Sequence, residues 1–136
     1  MKDPQIAYKE RLENILNLIK DGQYSNCFNI SQNLTNFAWT VELEDEVFIS
    51  EVLEAIFTEM DTVTSDYAIP EDIAQQLQTD LSTKMENLVK AYPDKDPRQL
   101  YICLKELRYV ATYNQLHTWQ KYPKKKPSRF QRGVIN

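Results

Sequence analysis

Apolar residues recur three and four positions apart in five successive stretches of this chain, and they alternate nowhere. That spacing places them on one side of a 3.6-residue helix and leaves no strand period to build a sheet from. In the first stretch the stripe is Ile6, Leu12, Ile15, Leu16 and Ile19. Asp3 stands where a cap accepts free helical N–H groups, Pro4 suits the first turn, and Gly22 can take the left-handed conformation that ends a helix. These signals predict a helix over about 4–21.

The second stretch, 23–41, gathers Tyr24, Cys27, Phe28, Leu34, Phe37, Ala38 and Val41 on one face, with Asn26, Asn29, Gln32, Asn33 and Asn36 opposite. The acidic run Glu42, Glu44, Asp45, Glu46 favours a third helix start, because carboxylates are stabilised by the partial positive charge there. Its core face is expected to hold Phe48, Ile49, Val52, Leu53, Ile56, Phe57, Met60 and Val63, with Glu51, Glu54 and Glu59 outward. Residues 61–69 read as a loop. Pro70-Glu71-Asp72 opens a fourth helix with the stripe Ile73, Leu77, Leu81, Met85, Leu88 and Val89, ending near Tyr92-Pro93. Asp96-Pro97 repeats the first start signal, and the fifth seam is Leu100, Tyr101, Leu104, Leu107, Val110, Ala111 and Trp119. Pro123 and Pro127 end regular structure. The expectation is an all-α, antiparallel helical bundle of four to five helices, a single domain over 1–122, followed by a basic, flexible, proline-containing tail over 123–136.

Charge is unevenly distributed. Residues 1–96 carry 7 Lys/Arg against 19 Asp/Glu, whereas 97–136 carry 9 Lys/Arg against the single acid Glu106. Between Lys20 and Lys84 there are thirteen acids and no Lys or Arg. A body with two such poles attracts partners of opposite sign at its two ends. The C-terminal pole supplies the candidate partner-binding residues: Arg108, Lys121, Tyr122, Lys124, Lys125, Lys126, Arg129, Phe130 and Arg132. Cations interleaved with aromatics and prolines suit an acidic protein surface or a second copy of the chain. The same residues suit nucleic acid, with Lys124, Lys125, Lys126, Arg129 and Arg132 on phosphates and a ring on a base. The tail can also fold back onto the acidic segment.

Other chemistries find less support. Two glycines argue against a phosphate loop or a dinucleotide-binding turn, and one histidine excludes sites that need two. His117 has no nucleophile or orienting acid near it in the chain and reads as a helix-terminal cap. A ferritin-like di-iron site needs two Glu-x-x-His units, and the chain has none. A metal-dependent all-α nucleotide hydrolase is the second alternative, since Glu10–Glu13 and Glu42–Asp45 loosely match paired acidic motifs, although one falls at a helix junction. Cys27 and Cys103 lie far apart and read as free core thiols. No apolar run approaches the roughly 20 residues that span a bilayer, so a cytoplasmic protein is expected. The reading that results is a non-catalytic adaptor, regulator or assembly subunit, with no cofactor or metal. If Trp39 or Tyr109 is exposed, each becomes a natural interface anchor.

Overall fold

Two Asp-Pro pairs set the frame of the molecule. In the computed structural model, which describes residues 3–94 and 96–125 and only the backbone of Trp119, Asp3 Oδ1 accepts from the amide of Gln5 at 2.7 Å. Asp96 Oδ1 accepts from the amide of Gln99 at 2.9 Å. These caps open α1 (Pro4–Lys20) and α5 (Pro97–Lys121). Between them lie α2 (Tyr24–Thr40), α3 (Glu44–Asp66) and α4 (Glu71–Ala91). The fold is an all-α bundle of five helices. α3 continues through Asp66, so the residues expected as a loop over 61–69 are helical for their first two-thirds. Its threonines remain compatible with a helix because Thr64 Oγ1 donates back to the carbonyl of Met60 at 2.9 Å.

The helices touch in a ring: α1 packs on α2 and α4, α2 on α3, α3 on α5, and α5 on α4. Contacts fix the directions. Cys27 Sγ reaches the carbonyl of Ile15 and Arg11 lies 4.1 Å over the ring of Phe37, pairing the end of α1 with the start of α2. Lys84 meets Glu106 and Cys103 meets the carbonyl of Asn87, so α4 and α5 run oppositely. By contrast, Phe48 shares a trough with Tyr101, and Glu59 meets Arg108 and Thr112. α3 and α5 therefore run in the same direction. An up-and-down chain of five helices closed into a ring must contain one such parallel pair, because the ring has an odd number of members.

Aliphatic side chains from all five helices fill the centre, including Leu12, Ile15, Leu34, Leu53, Ile56, Leu81, Met85 and Leu107, all fully buried. Burying each contributes roughly 1.5–3 kcal/mol before the cost of ordering the chain. Four stripe residues depart from expectation. Ile6, Phe48, Ile73 and Tyr101 are exposed, while Tyr8 takes the buried place in α1. Tyr8 lies four residues before Leu12 and so sits nearer the centre of the stripe than Ile6 does.

One polar cluster interrupts this core. Glu46 in the first turn of α3 is only 5% exposed. Its Oε2 accepts from the hydroxyl of Tyr92 at 2.8 Å. The Tyr8 hydroxyl donates to the Glu46 carbonyl at 3.0 Å or pairs with Ser50 Oγ at 2.6 Å. The Tyr8 and Tyr92 rings lie 5.1 Å apart, centre to centre. Burial is tolerated because the polar atoms find partners, and the first-turn position suits an acidic side chain.

Candidate functional site

α5 is the helix on which the charge reading and the structure meet. Its inward side is formed by Leu104, Leu107 and Ala111, all buried. Its outward side is the unexpected one: Tyr101, Ile102, Tyr109, Tyr113 and Leu116 are all exposed, Tyr109 at 66% and Tyr113 at 52%. Ile102, Tyr109 and Leu116 stand seven residues apart, which keeps them on one line of the helix. The rings are ordered against one another. Tyr109 and Tyr113 stack with centres 5.8 Å apart, and Tyr113 and His117 stack at 5.7 Å. Tyr101, expected in the seam of this helix, is exposed, and Trp39, Tyr109 and Tyr113 are exposed as well. Trp119 is helical, and its side chain lies outside the described residues.

Two depressions flank this helix. On the α4 side a groove of about 830 Å³ is lined by Lys84, Ile102, Lys105, Glu106 and Tyr109. Lys84 and Glu106 pair across it at 3.4 Å, both substantially exposed, which makes the pair worth no more than about 1 kcal/mol. On the α3 side a smaller trough of about 200 Å³ lies between Phe48, Val52, Tyr101, Leu104 and Arg108.

The candidate partner-binding residues fall into three groups. Arg108 is partly committed inside the molecule, where its Nη2 donates to Glu59 Oε1 at 3.1 Å while Thr112 Oγ1 donates to Glu59 Oε2 at 3.2 Å. Glu59 is consequently half-buried rather than outward, as is Glu54, which accepts from Thr35 Oγ1 at 2.6 Å. Lys121 and Lys124 are exposed and Tyr122 is half-buried. Residues 123–125 lie along the α3–α4 connection. The Pro123 carbonyl accepts from the amide of Ala68, the Lys125 amide donates to the carbonyl of Asp66 at 2.7 Å, and Lys125 Nζ donates to the carbonyl of Thr64 at 3.1 Å. Lys126, Arg129, Phe130 and Arg132 lie outside the described residues. Lys105, which extends the positive region onto the folded body, and Arg98, a cation in the first turn of α5, are both exposed and have no ion-pair partner among the described residues.

The acidic motifs considered for metal chemistry are not brought together. Among the described residues, no group of three or more His, Cys, Asp or Glu converges where an ion could be held. The cysteines are free thiols, Cys27 buried and Cys103 only partly so, the latter short of the core place expected for it. Burial pushes the Cys27 thiol up to about 12, so it stays protonated and is a poor nucleophile. No helix among the described residues is long and apolar enough to cross a membrane. Comparison with known protein families, curated proteins and solved structures finds no match to this chain.

Proposed function

We propose that this protein is a non-catalytic interaction module that docks through α5 and the basic segment after it onto an acidic protein surface or a second copy of the chain. The observation that carries the reading is the outward face of α5. Five of the nine exposed large apolar residues identified in the described structure lie on this one helix, and Arg98 and Lys105 share their side of it. Scattered apolar residues are ordinary on a surface, but a concentration on one helix is characteristic of a face that a partner covers.

The division of labour follows from the chemistry. Cations raise the encounter rate with an acidic partner and set its orientation, whereas ordered rings supply affinity at little entropic cost. Stacking already restrains Tyr109 and Tyr113, so little further freedom is lost when a partner covers them. Nucleic acid is the competing occupant of the same cations. Full-length protein, a Tyr109→Ser/Tyr113→Ser/Leu116→Ser variant and a chain ending at Tyr122 would each be used to co-purify molecules from the host. The reading expects one identified acidic protein to be retained by the full chain, lost from the triple variant and released by salt. Retention of RNA or DNA in its place, or equal retention by the triple variant, would overturn it.

A further inference from the structure

The trough between α3 and α5 has the charge pattern of a surface that fits itself. On α3, Glu44 and Glu51 are exposed and seven residues apart, flanking Phe48, which is 51% exposed. On α5, Arg98 and Lys105 are exposed and also seven apart, flanking Tyr101, which is 55% exposed. An acidic rail therefore runs along the outer edge of one helix and a basic rail along the outer edge of its neighbour, with two half-exposed rings between them.

The registers of the rails match. Phe48 shares the trough with Tyr101 and Glu59 bonds to Thr112, so residues on these parallel helices stand level at a constant offset. By that offset Glu44 is level with Pro97 and Glu51 with Leu104, each within one residue, about 1.5 Å of rise, of Arg98 and Lys105. A two-fold axis parallel to the helices preserves height and exchanges left for right. It lays the acidic rail of one copy over the basic rail of the other, twice. A two-fold axis across the helices would instead lay acids on acids and cations on cations, which is repulsive.

We propose that this chain forms a two-fold dimer in which α3 of each copy lies over α5 of the other. Phe48 and Tyr101 meet at the centre, and Glu44 and Glu51 of one copy pair with Arg98 and Lys105 of its mate. The arrangement is isologous and closes at two subunits. It has the apolar centre and polar rim of a protein interface, and seven-residue charge spacing sets partner and orientation as it does between paired helices. The dimer rests on the reading of α5 as a docking helix and narrows its occupant. It leaves the Tyr109, Tyr113 and Leu116 line free for a further partner.

Sedimentation equilibrium of the full chain tests it, with two charge-reversed forms, Arg98→Glu/Lys105→Glu and Glu44→Lys/Glu51→Lys. All four positions are exposed, so both forms are expected to fold, checked by circular dichroism. The unaltered chain should double in mass as concentration rises, and salt should weaken the association. Each reversed form alone should be monomeric, and an equimolar mixture of the two should regain the dimer, because each acid then faces a cation again. Phe48→Ser should lower the association at least tenfold with the helical spectrum intact. A monomer at every concentration would overturn the dimer, as would one that neither reversal disturbs, or reversals that fail to rescue each other. A monomer that still retains an acidic protein through Tyr109 and Tyr113 would overturn the dimer while leaving the reading of α5 in place.

Discussion

Tyr8 and Tyr92 face each other in the buried interior near one end of the bundle with ring centres 5.1 Å apart; Tyr109 and Tyr113 do the same on its outside at 5.8 Å. The inner pair is held by the molecule's own chemistry, because Glu46, its carbonyl and Ser50 take up both hydroxyls. The outer pair holds only its own column. A tyrosine is apolar along its body and polar at its tip, so it serves either place, and its surroundings decide which. Inside, the ring's burial is already counted in the stability of the fold. Outside, the same apolar surface remains available to whatever covers it.

Truncation should separate the pairs most widely. Tyr8→Ala should cost about 3–5 kcal/mol in denaturant unfolding, since it leaves a large cavity in the core. Tyr109→Ala should stay within about 0.5 kcal/mol, as befits an exposed position. Equal losses would erase the distinction. Alkali should act next. Burial and the nearby Glu46 carboxylate hold Tyr92 well above the ordinary tyrosine range, burial does the same for Tyr8, and burial pushes Tyr24 up to about 12. The folded state then keeps protons that the unfolded chain releases, starting near 9 for Cys27 and 10 for the tyrosines. Stability is thus fully present below pH 9 and falls as pH rises toward 12, by up to about 1.4 kcal/mol per pH unit for each group. Unfolding free energies unchanged between pH 8 and 11 would contradict this.

Tyr92→Phe should cost about 1–3 kcal/mol, because it leaves the buried Glu46 Oε2 without its donor. The smallest effect concerns the turns rather than the rings. Gly22 closes α1 with its amide on the carbonyl of Ile19 and the Gln23 amide on that of Leu18. Glu42 closes α2 in the same way, its amide on Trp39 and the Leu43 amide on Ala38. Both residues are left-handed, Gly22 at φ 72° and Glu42 at φ 60°. Glycine reaches that region freely and glutamate does not, so Glu42→Gly should raise the unfolding free energy by about 1 kcal/mol. A loss on this substitution would show that the Glu42 side chain matters to the fold.

These turns also show where the sequence was readable. Asp-Pro pairs and Gly22 mark their boundaries because those residues are chemically suited to caps and turns. The end of α2 carries no such mark, since nothing about Glu42 announces a positive φ. Within helices, period finds a face but not its edges. Phe48 and Tyr101 sit where their stripes border solvent, and only the packing of α3 on α5 decides that they remain half-exposed. Glu46 was hidden by its charge, which reads as surface until Tyr92, 46 residues away, supplies the hydroxyl that lets it be buried. The basic pole on α5 was legible as composition. Its ring column and the matched rails beside Phe48 were not, because they arise from which helices become neighbours.

The most direct test of α5 as a docking face is covalent footprinting of tyrosine rings on the purified protein at low concentration and again in host extract. Tyr8 and Tyr92 serve as buried references in both. The account predicts that Tyr109 and Tyr113 are labelled in the purified protein and protected in extract, with the protection lifted by salt. Equal labelling of both rings in the two conditions would contradict it.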